Sequence, residues 1–134
     1  MFATPPDIET RVFASLPDEF RRSARSDWAN IQMRGQELDS FLEGPSFDLE
    51  GNLYVVDIPF GRVFRISPDG NWTLVVEYDG EPNGLKFDRE GRMFIADHKH
   101  GIMEIDPITG AIKVALDRPT LERFRGVNDL FFAS

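Results

Sequence analysis

The sequence predicts an all-β fold, a partial β-propeller of about two four-stranded blades plus the start of a third, with a helical N-terminal segment. Three observations predict it. Glu43 and Asn83, Gly51 and Gly91, Asp57 and Asp97, and Gly61 and Gly101 are each separated by 40 residues. One opening recurs in altered form: Glu43-Gly44-Pro45-Ser46-Phe47-Asp48, then Asn83-Gly84-Leu85-Lys86-Phe87-Asp88, then Asn128-Asp129-Leu130-Phe131-Phe132. Short β-branched and aromatic runs between Gly, Pro, Asn and Asp clusters supply the strands. Repeats of ~40–45 residues built from short strands are the signature of propeller blades.

Residues 1–40 read as an N-terminal strand and helix segment, and 41–134 as an incomplete propeller. Blade 1 covers about 41–80, blade 2 about 81–126, and the start of blade 3 is 127–134. Residues 1–6 are expected to be loose, because Pro5 and Pro6 lack amide donors. Ile8 to Leu16, with Val12 and Phe13, reads as a short strand with a distant partner. Phe20, Ala24, Trp28 and Ile31 recur at helical spacing after Pro17, Asp18 and Glu19, a start that suits the helix dipole. Gly35 stops that helix, and Ser23 to Ser26 offers a break within it.

Strands follow in blade order. The first unit continues through Leu53–Asp57, Arg62–Ile66, the turn Pro68-Asp69-Gly70 and Trp72–Glu77. The second runs Leu85–Asp88, Arg92–Asp97, Ile102–Asp106, the turn Pro107–Gly110 and Ala111–Leu116, and 117–126 is a polar connector. Repeats bury their faces only against neighbours. The chain is therefore expected either to be part of a longer protein or to self-associate through exposed blade faces.

Fifteen basic against 23 acidic residues give a net charge of −8. Such a surface repels phosphate backbones and anionic lipid, so neither nucleic acid nor a membrane is an expected partner. The absence of cysteine excludes disulfides, thiolate zinc sites and cysteine nucleophiles. The start shows no signal-peptide pattern and no apolar run reaches the ~20 residues of a membrane span, so the expected location is cytoplasmic.

Equivalent positions of successive blades face the propeller axis. Glu43, Asn83 and Asn128 are therefore expected to meet at one tunnel mouth, where carboxylate and amide oxygens suit a hard cation. Asp57 and Asp97 read as turn caps. His98 and His100 form a His-x-His pair without a third nitrogen or sulfur ligand and read as a solvent-exposed turn, with His98 alone within reach of the mouth. Trp28, Trp72 and the phenylalanines read as core. No phosphate loop, nucleophile elbow or zinc-protease helix is present in the sequence.

Phe41 to Asp48, Asn52 to Ile58 and Gly61 to Ile66 together resemble the opening blade of the SMP-30/gluconolactonase/LRE-like family. Glu81-Pro82-Asn83-Gly84-Leu85 and Gly126-Val127-Asn128-Asp129-Leu130 are similar to its second and third blade openings. The resemblance implies a six-bladed propeller that hydrolyses a small-molecule lactone with metal-activated water. It implies one divalent cation, calcium first, with magnesium, manganese or zinc as alternatives. By matched position, Glu43 and Asn128 are metal ligands, Asn83 lines the cavity and is a candidate substrate contact, and Asp129 is the acidic residue beside the ligand asparagine, placed to act as general base. His98, from its reach to the mouth, and Arg125, one residue off the matched position, are the other candidate substrate contacts. Some members place a substrate-contacting arginine where this sequence has Gly126, with Arg125 one residue further back. The family's other ligands fall in later blades, so the 134 residues alone are expected to be inactive. The competing readings are a non-enzymatic binding module of NHL or WD type and an inactive truncated remnant.

Overall fold

The computed structural model describes residues 5–120, 122–124 and 126–133, and two antiparallel sheets organise them. The first has the order β1 (Leu42–Phe47), β2 (Leu53–Asp57), β3 (Arg62–Ile66) and β4 (Trp72–Glu77). The second repeats it with β5 (Pro82–Phe87), β6 (Met93–Asp97), β7 (Gly101–Ile105) and β8 (Ile112–Leu116). Both are simple meanders, which is the all-β, four-strands-per-unit arrangement expected from the repeat.

The turns explain most of the period. Asp48 Oδ1 accepts the amides of Glu50 and Asn52 at 2.9 and 2.8 Å, and Asp88 Oδ1 accepts those of Glu90 and Arg92 at 3.0 and 2.9 Å. Gly51 and Gly91 close these turns at φ of +85° and +79°, a conformation costly for any residue with a Cβ.

The Gly61–Gly101 pair does not follow the period. Asp57 pairs with Arg62 and Asp97 with Gly101, so residues 58–61 link β2 to β3 while only 98–100 link β6 to β7. Arg62 is thus the ladder counterpart of Gly101, and Gly61 closes the 3-10 turn Ile58–Phe60 at φ +60°. The next link is one residue longer in the second sheet, so Trp72 and Ile112 again match across 40 residues.

Side chains alternate across each sheet. Tyr54, Val56 and Val63 face Leu85, Met93, Ile95, Met103 and Ile105, forming the core between the sheets. Val55, Phe64 and Ile66 point the other way and are covered by Ala14, Leu16, Phe20 and Trp72. Phe13, Phe47, Phe131 and Phe132 are exposed, which corrects their assignment to the core, and Phe2 lies outside the described residues.

The N-terminal segment departs from expectation in two ways. Residues 5–16 form no strand, and Ile8 and Val12 are exposed; Leu16 is the buried anchor. The expected helix divides into a 3-10 turn, Asp18–Phe20, and a six-residue helix α1, Asp27–Gln32. Ser26 Oγ accepts the Ala29 amide at 3.1 Å and so caps α1, while Ala24 bridges to Leu38. The break at Ser23–Ser26 is where this division falls. Trp28 and Ala29 are buried with Ile58, but Ile31 is 77% exposed, because a helix this short presents only one turn to the core. No helix among the described residues is long and apolar enough to cross a membrane.

Candidate functional site

Both first strands are irregular where the repeated openings lie. The β1–β2 register shifts between Glu43 and Ser46, and the β5–β6 register between Pro82 and Gly84. Such bulges turn side chains out of the ladder direction. Gly44, at φ +58°, lies against the next opening: a Cβ there would collide with the Asn83 carbonyl and the Leu85 amide. Gly84 repeats the contact one step on, leaving no room for a Cβ beside Asn128 and Asp129. The three openings therefore stack in sequence order, each glycine admitting the backbone of the next.

Glu43 and Asn128 are exposed and Asn83 is half-buried. Among the described residues, no hydrogen bond or ion pair engages these three side chains. Asp129 is committed: its Oδ1 accepts the Leu130 amide at 2.8 Å and lies 3.5 Å from Lys86 Nζ. Sequence reasoning missed Lys86, whose repeat counterpart is Ser46, because its partner lies 43 positions away in the chain.

His98 and His100 part company. His100 Nε2 lies 2.6 Å from the Asp79 carbonyl, in the turn assigned to it from the sequence. The His98 ring packs directly on Gly126, and its Nδ1 is buried without a partner. His98 is thereby beside the third opening, near Asn128. Arg125 lies outside the described residues.

Asp57 and Asp97 are both 0% exposed; Asp97 caps its turn and does more, whereas Asp57, expected to cap a turn, makes no side-chain bond to the turn Ile58–Phe60 that follows it. Asp57 Oδ1 accepts the Phe41 amide at 2.7 Å and the Ser40 hydroxyl at 3.2 Å. Its Oδ2 accepts Arg62 Nε at 2.8 Å and Arg62 Nη2, and Arg62 Nη1 donates to the Phe20 carbonyl at 2.6 Å. Asp97 Oδ1 accepts the amides of Lys99 and His100 at 2.8 and 2.9 Å, the expected turn cap. Asp97 Oδ2 accepts the Tyr78 hydroxyl at 2.8 Å and the Glu81 amide at 3.0 Å. Burial, and then the Asp97 charge, push the Tyr78 phenol well above its usual range.

Oxygen donors of the Glu43 and Asn128 type fit a hard divalent cation, which takes six to eight oxygens as calcium. Among the described residues, no three His, Asp or Glu side chains gather to hold an ion.

The family model described as the SMP-30/Gluconolactonase/LRE-like region matches residues 41–134. Lactonase drp35 of Staphylococcus aureus (strain USA300) is 28% identical over 79 residues, 58% of this chain and 23% of that protein. Lactonase drp35 of Staphylococcus epidermidis is 27% identical over 89 residues, 65% of this chain and 26% of that protein. A solved gluconolactonase structure from Xanthomonas campestris aligns with a TM-score of 0.65 at 24% identity, over 70% of this chain and 32% of that one, a likeness of fold. The chain spans about a quarter of the length of these curated relatives.

Proposed function

The chain belongs to the SMP-30/Gluconolactonase/LRE-like family, and from that premise we propose that it supplies two blades and part of the metal centre of a divalent-metal-dependent lactonase. The observation that carries this reading is the stacking of the openings, Gly44 on Asn83–Leu85 and Gly84 on Asn128–Asp129. It sets Glu43, Asn83 and Asn128 in succession at one end of the two sheets.

Glu43 and Asn128 would hold the cation, calcium first, with magnesium, manganese or zinc accepted by the same oxygens. Bound there, the ion supplies a Lewis acid for a lactone carbonyl. Asp129 takes the proton from the attacking water at Oδ2, its Oδ1 being held by the Leu130 amide and Lys86. Asn83 and His98, with Arg125, orient the lactone at the mouth. Bulk charge of −8 disfavours polyanions in the same space.

Two side-chain ligands leave a calcium ion mostly hydrated and weakly held. Efficient turnover is accordingly proposed for a complete ring, and the 134 residues alone are expected to be inactive. Calorimetric titration of calcium into this chain and its Glu43→Gln variant, with lactone hydrolysis followed by pH-stat, tests the reading. A Kd weaker than roughly micromolar, further weakened in the variant, is expected. No calcium binding, with Glu43→Gln without effect, would favour a binding module without a metal.

A further inference from the structure

We propose that Asp57 and Asp97 are positioning residues for the mouth, each clasping the lead-in to a blade so that Glu43 and Asn83 are presented from a fixed backbone. The inference rests on the metal-site reading above. Each carboxylate is wholly buried at the end of the second strand of its sheet. Each accepts the amide 16 residues earlier, Phe41 for Asp57 and Glu81 for Asp97. Those amides stand two positions before Glu43 and Asn83.

Immediately after each clasp the strand bulges. A bulge removes regular ladder pairing, so the opening needs another restraint. A charge-assisted bond from an amide to a buried carboxylate provides one. Outer groups that orient ligands in this way commonly control metal affinity.

The clasps differ in what they tie down. Asp57 is paired with Arg62, which reaches the Phe20 carbonyl and lies over the Phe60 and Phe64 rings at 5.0 and 5.1 Å. That clasp belongs to the first sheet and the segment covering it. Asp97 instead takes the hydroxyl of Tyr78, just after β4, together with the amide of Glu81, just before β5. Gly80 between them has no room for a Cβ against the Tyr78 ring and the Asp97 carboxylate. The second clasp therefore fixes the crossing from one sheet to the next. Asp57 governs Glu43, and Asp97 governs Asn83.

This division sets the test. Amide hydrogen exchange and calcium titration are measured on the full chain and on Asp57→Asn, Asp97→Asn and Tyr78→Phe, at a temperature where circular dichroism shows each folded. Asp57→Asn is expected to speed exchange at residues 41–44 and to weaken calcium ~10-fold or more. Asp97→Asn is expected to speed exchange at 81–84 while calcium stays within about twofold, since Glu43 keeps its own clasp. Tyr78→Phe, which leaves the Glu81 amide bond in place, lowers Tm and moves neither readout. Should Asp57→Asn fail to fold, Asp57→Glu keeps a charge for Arg62 but misplaces the Phe41 clasp, and the same weakening is expected. Variants that lose Tm yet keep wild-type exchange at the openings would overturn the inference. A wild-type chain that binds no calcium would overturn the metal reading instead, with exchange still deciding on the clasps.

Discussion

Asp57 and Arg62 are ladder partners across β2 and β3, and both side chains are sealed from solvent, the guanidinium donating to the carboxylate through Nε and Nη2. Removing one member strands a charge in a site that cannot hydrate it. Arg62→Met is expected to cost about 3–5 kcal/mol in urea unfolding. A loss below ~1 kcal/mol would mean that water reaches the Asp57 carboxylate in the variant.

Gly44 and Gly51 separate two reasons for having glycine. Both have positive φ, but space is open around Gly51, whereas the Asn83 carbonyl and Leu85 amide crowd Gly44. Gly51→Ala should cost about 1–2 kcal/mol from backbone conformation alone. Gly44→Ala carries that cost plus about 1–3 kcal/mol for forcing β1 from β5. Equal losses in parallel denaturant melts would show that the openings do not bear on each other in solution.

Much of this architecture is written locally. Asp48 and Asp88 bind amides two and four residues ahead, so their turns and the strands they join are legible from spacing. Gly61 and Gly101 mislead because a period counts residues while a ladder counts partners, and one short link is offset by one long one. The role of Asp57 was hidden for a different reason: the Phe41 amide it accepts, like the Phe20 carbonyl that Arg62 reaches, is brought in by packing. Val12 and Phe13 look like strand residues, yet no neighbouring edge receives them and both are exposed. At the mouth, the residue types were readable, but the Lys86–Asp129 pair and the His98–Gly126 contact arise only when the third opening folds onto β5.

The chain's two tyrosines report on the same core from opposite ends of a charge argument. Burial raises the Tyr54 phenol, and burial followed by the Asp97 charge raises Tyr78. Both folded values lie above the unfolded value of ~10, so the stability they contribute is full below that pH and is lost as pH rises beyond it. Tyrosinate absorbance is expected to appear together with loss of far-UV signal, in one step. Tyr78→Phe should flatten the alkaline fall in stability. A smooth, two-phenol titration of the folded protein near pH ~10 would contradict the burial of both rings.

Arg22 grips Glu77 with both Nη atoms, at 2.7 and 2.6 Å, and so ties the N-terminal segment to the outer strand β4. The Arg22 hydrogen bond holds the Glu77 carboxyl below its ordinary value against an opposing desolvation. With side chains 45% and 38% exposed, the pair is screened by water, and its worth is at most ~1 kcal/mol. A lowered folded value means that the contribution is present above the unfolded pKa of ~4.3 and disappears as pH falls through the folded one. Glu77→Gln is therefore expected to lower stability slightly at neutral pH, with the gap to wild type closing as pH falls below the lowered folded value and narrowing in ~1 M salt. A gap that persisted in acid would trace the loss to packing of the segment on β4, because a protonated Glu77 no longer pairs with Arg22.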